Sequence, residues 1–479
     1  MSDKPVDQTA EAFERALTAI RNAVSPDARP AHGDTADATV FRQARFAVAL
    51  SGGLDSSVLL HLAQAHAVRH QLTLFAFHIH HGISPNADAW LAHCRAECER
   101  RGITFDSRLV KIPEKAKNGI EEAARRSRYA ALGALCRLHG VPLLLTAHHQ
   151  DDQAETVLLQ LLRGSGVAGL SGMDTFNCAP DLLGDATLVM ARPLLEVARA
   201  ELEEIATSAA ITHIDDESNR DPRHARNALR HQFLPALAEH FPGFAQRFAR
   251  TARHAQAAQR MLVELAVQDL TTCLDGECLD ISLIRRLSPD RIDNLLRYWF
   301  GSRGVRMPST AWLAEMRSQL LNAKPDAQLC VTHADCHIRR HQGRVYLTPK
   351  LEGDAADVEP LGFAWQGEAS MHFERFGGTL FFDGAEQGVD ARWLRAQPLI
   401  IALRSGGERL KPAANRPTRS LKYHYQSCDV PAWQRERLPI VSAAKQLLFA
   451  AGIGMDCQHF QNAGDGCIVL RWQPDPGRL

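Results

Sequence analysis

Residues 51–56 read Ser-Gly-Gly-Leu-Asp-Ser, a run of small and hydroxyl-bearing side chains around one carboxylate. They follow a short apolar run, RFAVAL at 45–50, and lead into SSVLLHLAQ, which has helical character. A strand that gives way to a helix in this manner gathers unpaired backbone N–H groups and the positive end of the helix dipole at one loop. Gly52 and Gly53 let the backbone approach an anion closely, and Ser51, Ser56 and Ser57 offer hydroxyls. Asp55 puts a carboxylate where a divalent metal ion, Mg by preference, could bridge to phosphate oxygens. The stretch Ser51, Gly52, Gly53, Leu54, Asp55, Ser56 is therefore a candidate site for the phosphates of ATP. The plainer alternative is a tight Gly-Gly turn with a serine capping the helix, worth about 1 kcal/mol. No lysine stands where GxxxxGK(S/T) would place one, and no GxGxxG is present, which disfavours kinase-like, motor-like and dinucleotide sites.

A second group, His148-His149-Gln150-Asp151-Asp152-Gln153-Ala154-Glu155, follows the apolar run VPLLLTA. Asp152 and Glu155 lie three apart, on one face of the expected helix. They could grip an ammonium group. On the residues alone, acidic first-turn groups that gain roughly 0.3–1 kcal/mol from the helix dipole are the better reading. Arg125, Arg126 and Arg128 share a helical pattern with Glu121, Glu122 and Tyr129. Salt-bridged solvation explains the Glu121/Arg125 and Glu122/Arg126 spacing, while Arg125 and Arg128 could instead present planar donors to phosphate. Arg226, Asn227 and Arg230 carry the same two readings.

These groups need a scaffold. Between about 45 and 215, apolar runs of strand length alternate with helical patterns, the signature of parallel βαβ units with helices on both faces. The class expected is α/β, a doubly wound parallel sheet, followed by two smaller α+β domains. The expected division is an extension at 1–40, a catalytic domain at 41–240, a helical and α+β domain at 245–350, and a strand-rich domain at 375–479. Phe13, Leu17, Ile20 and Val24 form one apolar helical stripe, enough for a docking helix, and residues 25–39 have linker composition. An acidic stretch near 351–358 marks the later boundary.

The chain has 479 residues, 55 Lys or Arg against 55 Asp or Glu, and a hydrophobic content of 45%, values of an ordinary globular protein. Eleven cysteines at irregular spacings argue for free thiols and a cytoplasmic setting. The N-terminus has neither signal-peptide nor anchor character, so no membrane is expected. Zero net charge hides local excess: Arg404–Arg437 holds eight Lys or Arg against three acids, with Tyr423, Tyr425 and Trp433 among them. Arg404, Arg409, Lys411, Arg419, Lys422 and Arg435 are the phosphate-contact candidates there, against a solvated surface around core aromatics. His78, His80 and His81, Cys330-x2-His333-x2-Cys336-His337, and Cys94-x3-Cys98 invite a metal reading, but strand and turn, or helix without partner ligands, describe them more simply.

SGGxDS after a strand resembles the PP-loop ATP pyrophosphatases, with an adenine-nucleotide α-hydrolase-like fold. Further stretches resemble the tRNA(Ile)-lysidine synthetase family in that family's order: HIHHGIS at 78–84, GIEEAARRSRY at 119–129, TAHHQDDQAET at 146–156, RGSGVAGLSGM at 163–173, DDESN at 215–219 and RNALRHQFLPAL at 226–237. LRSGGERLKP, SLKYHYQ and VPAWQRERLP resemble that family's last domain. The resemblance implies adenylylation of carbon 2 of the wobble cytidine in tRNA(Ile) with a CAU anticodon, then attack by free L-lysine with loss of AMP. It tips Asp152 and Glu155 toward the lysine ammonium, and assigns Asp55, Arg125, Arg128 and His148 to catalysis and Arg226, Asn227 and Arg230 to tRNA. Three rivals stand beside it. A tRNA 2-thiolation enzyme would need a relay cysteine or iron–sulfur cluster, yet Cys136 and Cys178 are single. A noncatalytic ATP-responsive tRNA-binding protein would release no pyrophosphate. An amidotransferase-type synthetase would need a glutaminase domain. Oligomeric state is left open, a homodimer among the options.

Overall fold

The computed structural model describes residues 4–24, 45–80, 82, 84–110, 120–215, 225–324, 329–350, 358–443 and 446–475. The linker expected at 25–39, His81, residues 216–219 of the DDESN run and most of the 351–358 stretch lie outside the described residues. The chain divides into two compact units, Met1–Leu262 and Val263–Leu479.

The first unit is the expected doubly wound α/β domain. Its elements run α1 (Lys4–Val24), β1 (Arg45–Ala49), α2 (Leu54–His70), β2 (Thr73–His80), α3 (Ala87–Arg101), β3 (Thr104–Leu109), α4 (Ile120–His139) and β4 (Leu143–Leu145). Then come α5 (Gln150–Leu162), α6 (Val167–Leu170), β5 (Phe176–Cys178), α7 (Pro180–Leu183), β6 (Val189–Ala191) and α8 (Arg199–Ser208). The sheet order is β3-β2-β1-β4-β6-β5, parallel except for β5 against β6. Strand order reverses between β1 and β4. In open α/β sheets the crevice at the carboxyl ends of such strands receives the ligand. Here those ends are followed by Ser51–Asp55 and by Thr146–Glu155, which brings together two motifs almost a hundred residues apart.

Alternation along β1 feeds two cores. Phe46 and Val48 join the layer of α1, α2 and α8, where Phe13, Leu17 and Ile20 are buried, so the N-terminal stripe is a docked helix. Ala47 joins Phe75, Phe77, Leu132, Leu135, Leu144 and Met190 on the other face. Cys94 and Cys98 sit in the first core and Cys136 in the second, and burial pushes all three thiols up to about 12. Such thiols stay protonated at neutral pH and make poor metal ligands or sulfur carriers.

Gly133 is where α4 meets α7. A Cβ there would come 2.0 Å from the Leu183 carbonyl oxygen, and backbone cannot rotate away as a side chain can. Gly133→Ala is expected to destabilise the domain by about 1–3 kcal/mol through overpacking, despite alanine's better helix propensity. Thermal unfolding checks it, with a lowered midpoint expected.

The second unit carries two further cores in α+β settings. In the first, strands Leu274–Asp275, Cys278–Asp280, Arg344–Pro349, Cys336–His341 and Cys330–Thr332 form an antiparallel sheet in that spatial order. Helices Pro289–Ser302 and Thr310–Asn322 bury Trp299, Phe300 and Leu313 with Ile338 and Val345. Cys330 and Cys336 therefore belong to paired strands, and His333 lies in the turn that joins them. In the second, a five-stranded sheet that includes Leu399–Leu403, Pro439–Ala443 and Gln446–Ala450 shares a core with a three-stranded sheet built on Gly378–Asp390 and Gln461–Pro474. Among the described residues the cysteines form no disulfide. Among the described residues, no helix is long and apolar enough to cross a membrane.

Candidate active site

Around the strand-order reversal the first unit holds a cavity of about 890 Å³. Ser51, Gly53, Leu54, Asp55 and Ser56 line one side, and His148, Arg128, Arg199 and Arg230 line others. That volume suits a nucleotide.

The loop after β1 is held from within. The N–H groups of Ser51 and Gly52 each donate to Ser56 Oγ (3.2 Å), and Ser56 Oγ donates to the Gly53 carbonyl (3.0 Å). Ser56 is buried, so its hydroxyl shapes the loop, while Ser51 is exposed at the rim. Gly52 has φ +92°, which favours glycine, and a Cβ on it would also push Ile214 Cδ1, 2.8 Å away. The helix N-cap is Gly53, which offers no side-chain capping bond; serine capping of α2 is thus not what the loop is built for.

Asp55 lies in the first turn of α2. Its Oδ2 is 3.8 Å from His149 Nε2 and 4.0 Å from Arg199 Nη1, and its buried Oδ1 has no hydrogen-bond partner among the described residues. Burial raises its pKa, against the pull of His149 and Arg199. The unsatisfied carboxylate oxygen is a hard donor of the kind a magnesium ion takes.

After β4 the chain delivers an electrostatic cluster. His149 is only 1% exposed and stands among three carboxylates: Asp55, Asp151 (3.6 Å) and Asp152 (3.4 Å). Burial opposes its charge, but the neighbouring carboxylates prevail and raise its pKa. The His149 N–H donates to Asp152 Oδ2 (3.1 Å), which caps α5. Asp152 Oδ1 also accepts from Arg226 Nη2 (3.3 Å) and Arg230 Nη2 (3.0 Å). Glu155, 1% exposed, accepts from Arg226 Nε at 2.7 Å and Arg230 Nε at 2.6 Å. Burial acts to raise the Asp152 pKa, yet His149 and the arginines hold it low.

Arg226 and Arg230 come from a helical stretch, Ala225–Ala228 then a π turn Leu229–Phe233, that sets both guanidiniums against α5. Asn227 stands between them on the same stretch. Arg125 and Arg128 lie on α4 against the buried Tyr129, 5.0 and 5.4 Å from its ring centre, and burial lowers the Arg128 pKa. His78 Nδ1 bonds the Leu50 carbonyl (2.9 Å), a tie between β2 and the end of β1, and His80 Nε2 lies 3.0 Å from Asp88.

Thr146 Oγ1 donates to the Ala191 carbonyl (3.3 Å) and lies 2.9 Å from His148 Nδ1. That arrangement puts the His148 proton on Nδ1 and leaves Nε2 as a lone-pair base. Burial holds the imidazole down to about 3. The folded pKa is below the unfolded value of about 6.5, so between those limits the unfolded chain binds more protons and stability falls as pH falls. In unfolding titrations, His148→Gln is therefore expected to lose less stability than the wild type from pH ~6.5 toward ~3.

The structure thus brings Asp55, Arg128, His148, Asp152, Glu155, Arg226 and Arg230 together. Sequence reading passed over His149, Asp151 and Arg199. The first two were in plain view within the quoted motif, while Arg199 opens α8, whose backbone N–H donates to Asp151 Oδ2 (2.9 Å).

The remaining basic candidates belong to the second unit. Arg409 and Arg419 lie on a short antiparallel pair, with Arg419 5.4 Å from the half-exposed Tyr423 ring. Arg409, Arg419 and Lys422 are exposed, and Arg404, Lys411 and Arg435 half-buried. Arg435 Nε donates to the Val430 carbonyl (2.6 Å). Tyr425, expected among the stacking aromatics, is fully buried and donates to the Ala451 carbonyl (2.9 Å): it is core.

Family models match three stretches: a PP-loop domain at residues 25–237, a TilS substrate binding domain at 279–346 and a TilS substrate C-terminal domain at 399–472. The tRNA(Ile)-lysidine synthase of Ralstonia nicotianae is 41% identical over 441 residues, which span 90% of this chain and 93% of that protein. Its counterpart in Burkholderia pseudomallei is 40% identical over 462 residues, with the same coverage. Among solved structures, the U34-tRNA thiolase NcsA from Methanococcus maripaludis aligns at a TM-score of 0.39 and 16% identity, over 53% of this chain and 80% of its own, too distant to carry a functional argument. Identity of this level across nine-tenths of both chains, on a PP-loop domain followed by both TilS-type domains, makes the chain a member of the tRNA(Ile)-lysidine synthase family.

Proposed function

We propose that this chain, a carbon–nitrogen ligase of that family, joins free L-lysine to carbon 2 of the wobble cytidine of CAU-anticodon tRNA(Ile) in two steps within the one cavity. The observation that carries the reading is that the phosphate loop and Arg230, itself paired with Asp152 and Glu155, line a single cavity of nucleotide size.

In the first step the cytidine O2 attacks the α-phosphorus of ATP and pyrophosphate leaves. The N–H groups that open α2 at Leu54 and Asp55 hold phosphate oxygens, and Arg128, Arg199 and Arg230 offset the charge that builds on them. Asp55, whose Oδ1 has no hydrogen-bond partner among the described residues, is the residue that would hold magnesium, and the bound ion would supply positive charge for the departing pyrophosphate. In the second step the lysine ε-nitrogen, freed of its extra proton, bonds to carbon 2 while the C2–O bond breaks and AMP departs. His148 Nε2 is the base for that proton. A group near pKa 3 is a weak base, but phosphate nearby raises it toward a useful range.

Asp152 and Glu155 are already neutralised by two guanidiniums, so an ammonium finds them available only after phosphate draws Arg226 or Arg230 away. Nucleotide first and amine second follows from that charge balance. Outside the cavity, Arg404, Arg409, Lys411, Arg419, Lys422 and Arg435 take the tRNA backbone. Replacing exposed Arg419 and Lys422 together with alanine should lower the slope of log affinity against log salt by about 1–2 in filter-binding titrations. Cysteines that form no disulfide among the described residues fit a cytoplasmic enzyme.

The test is a single turnover with ATP and CAU tRNA(Ile) but no lysine. Pyrophosphate should appear with AMP retained on the tRNA, and lysine added later should release it. Pyrophosphate release that needs lysine, or no tRNA, contradicts the two-step order.

A further inference from the structure

Far from the cavity, α1 and α2 share a cluster that the reaction does not use. His66 and His70 stand one turn apart on α2, so their rings fall on one side of it, with centroids 4.4 Å apart. Glu14 reaches them from α1. Its Oε2 is 2.9 Å from His66 Nδ1 and 3.5 Å from His70 Nε2, while its Oε1 takes Arg69 Nη1 at 3.3 Å. One carboxylate oxygen and two imidazole nitrogens thus converge, all within 4.8 Å of one another, and the second carboxylate oxygen is occupied elsewhere.

We propose that Glu14, His66 and His70 form a site for a zinc-class divalent ion that staples the N-terminal helix to α2. Two imidazoles and one carboxylate suit a borderline-soft ion, in tetrahedral geometry with water as the fourth ligand. His66 is buried against the rings of Phe13 and Phe46, which fixes its orientation, and His70 is 38% exposed, which leaves the fourth position to solvent. Arg69, which pairs with Glu14, is largely exposed, so it can turn away as the ion enters. Residues 25–44 separate α1 from β1 in sequence, so a bond between α1 and α2 bridges that interval. The staple lies near the far end of the helix that carries Asp55, roughly 20 Å along its axis, and acts on the docking of α1 rather than on the reacting atoms.

Zinc ions titrated calorimetrically into the metal-stripped full chain test this, with His70→Ala and Glu14→Gln compared to the wild type. Glu14→Gln can keep a hydrogen bond to His66, so it removes the ligand charge without removing the contact. The wild type should take up about one equivalent more than either variant. Zinc should also slow proteolytic release of α1 in the wild type alone. Equal uptake by all three proteins overturns the site. Uptake undiminished in Glu14→Gln, or α1 release that zinc leaves unchanged, overturns the staple.

Discussion

Arg230→Ala is expected to lower stability by about 3 kcal/mol and to abolish turnover. Removing one partner of a buried ion pair costs ~3–5 kcal/mol, because the charge left behind stays in low dielectric without compensation. Glu155 is that charge: it is 1% exposed and accepts two bonds from Arg230. Arg226 remains on Glu155 Oε2, which places the loss near the lower end of the range. Denaturant unfolding gives the stability. The double variant Arg230→Ala/Glu155→Gln separates folding from chemistry, since deleting both charges should restore most of the stability while turnover stays lost. Stability unrestored in the double variant would show that Arg230 acts on the fold through some other partner.

Asp55→Asn should act in the opposite sense on the two quantities. The carboxylate is desolvated and, among the described residues, half unsatisfied, so an isosteric neutral side chain leaves the fold as stable or slightly more so. Pyrophosphate release, however, should fall at least about a hundredfold, the scale seen when one electrostatic partner of a developing charge is removed. tRNA affinity should change little. Near-normal pyrophosphate release from Asp55→Asn would remove Asp55 from any role with metal or phosphate.

These two residues also show what could be read from the chain alone. Asp55 was legible because everything that defines its setting is local: an apolar run, two glycines, small hydroxyl residues and a helix start within a dozen positions. The α/β class was legible for a similar reason, the alternation of strand and helix periods. The partnership of Arg230 with Glu155 spans 75 residues and depends on where the strand order reverses. Arginines on a helical stretch read equally as solvated surface or as tRNA contacts until the sheet places them. His149 illustrates a subtler gap. Its neighbours in sequence were recognised, but its role comes from the three carboxylates around it, one of them on a different βα loop.

Tyr425 is the contrary case, since the signal was present. Leu421, His424 and Tyr425 sit at i, i+3 and i+4 on the helix Leu421–Ser427 and are buried, whereas Lys422 and Tyr423 point outward. That spacing marks a core stripe, which basic residues on either side obscure.

The most direct measurement is transfer of radiolabelled L-lysine in the presence of ATP to purified tRNAs that differ in anticodon. Label in the CAU isoleucine tRNA, dependent on ATP and absent with Asp55→Asn, is the predicted result. Label in a different tRNA, or none in the CAU species while pyrophosphate is released, would contradict it.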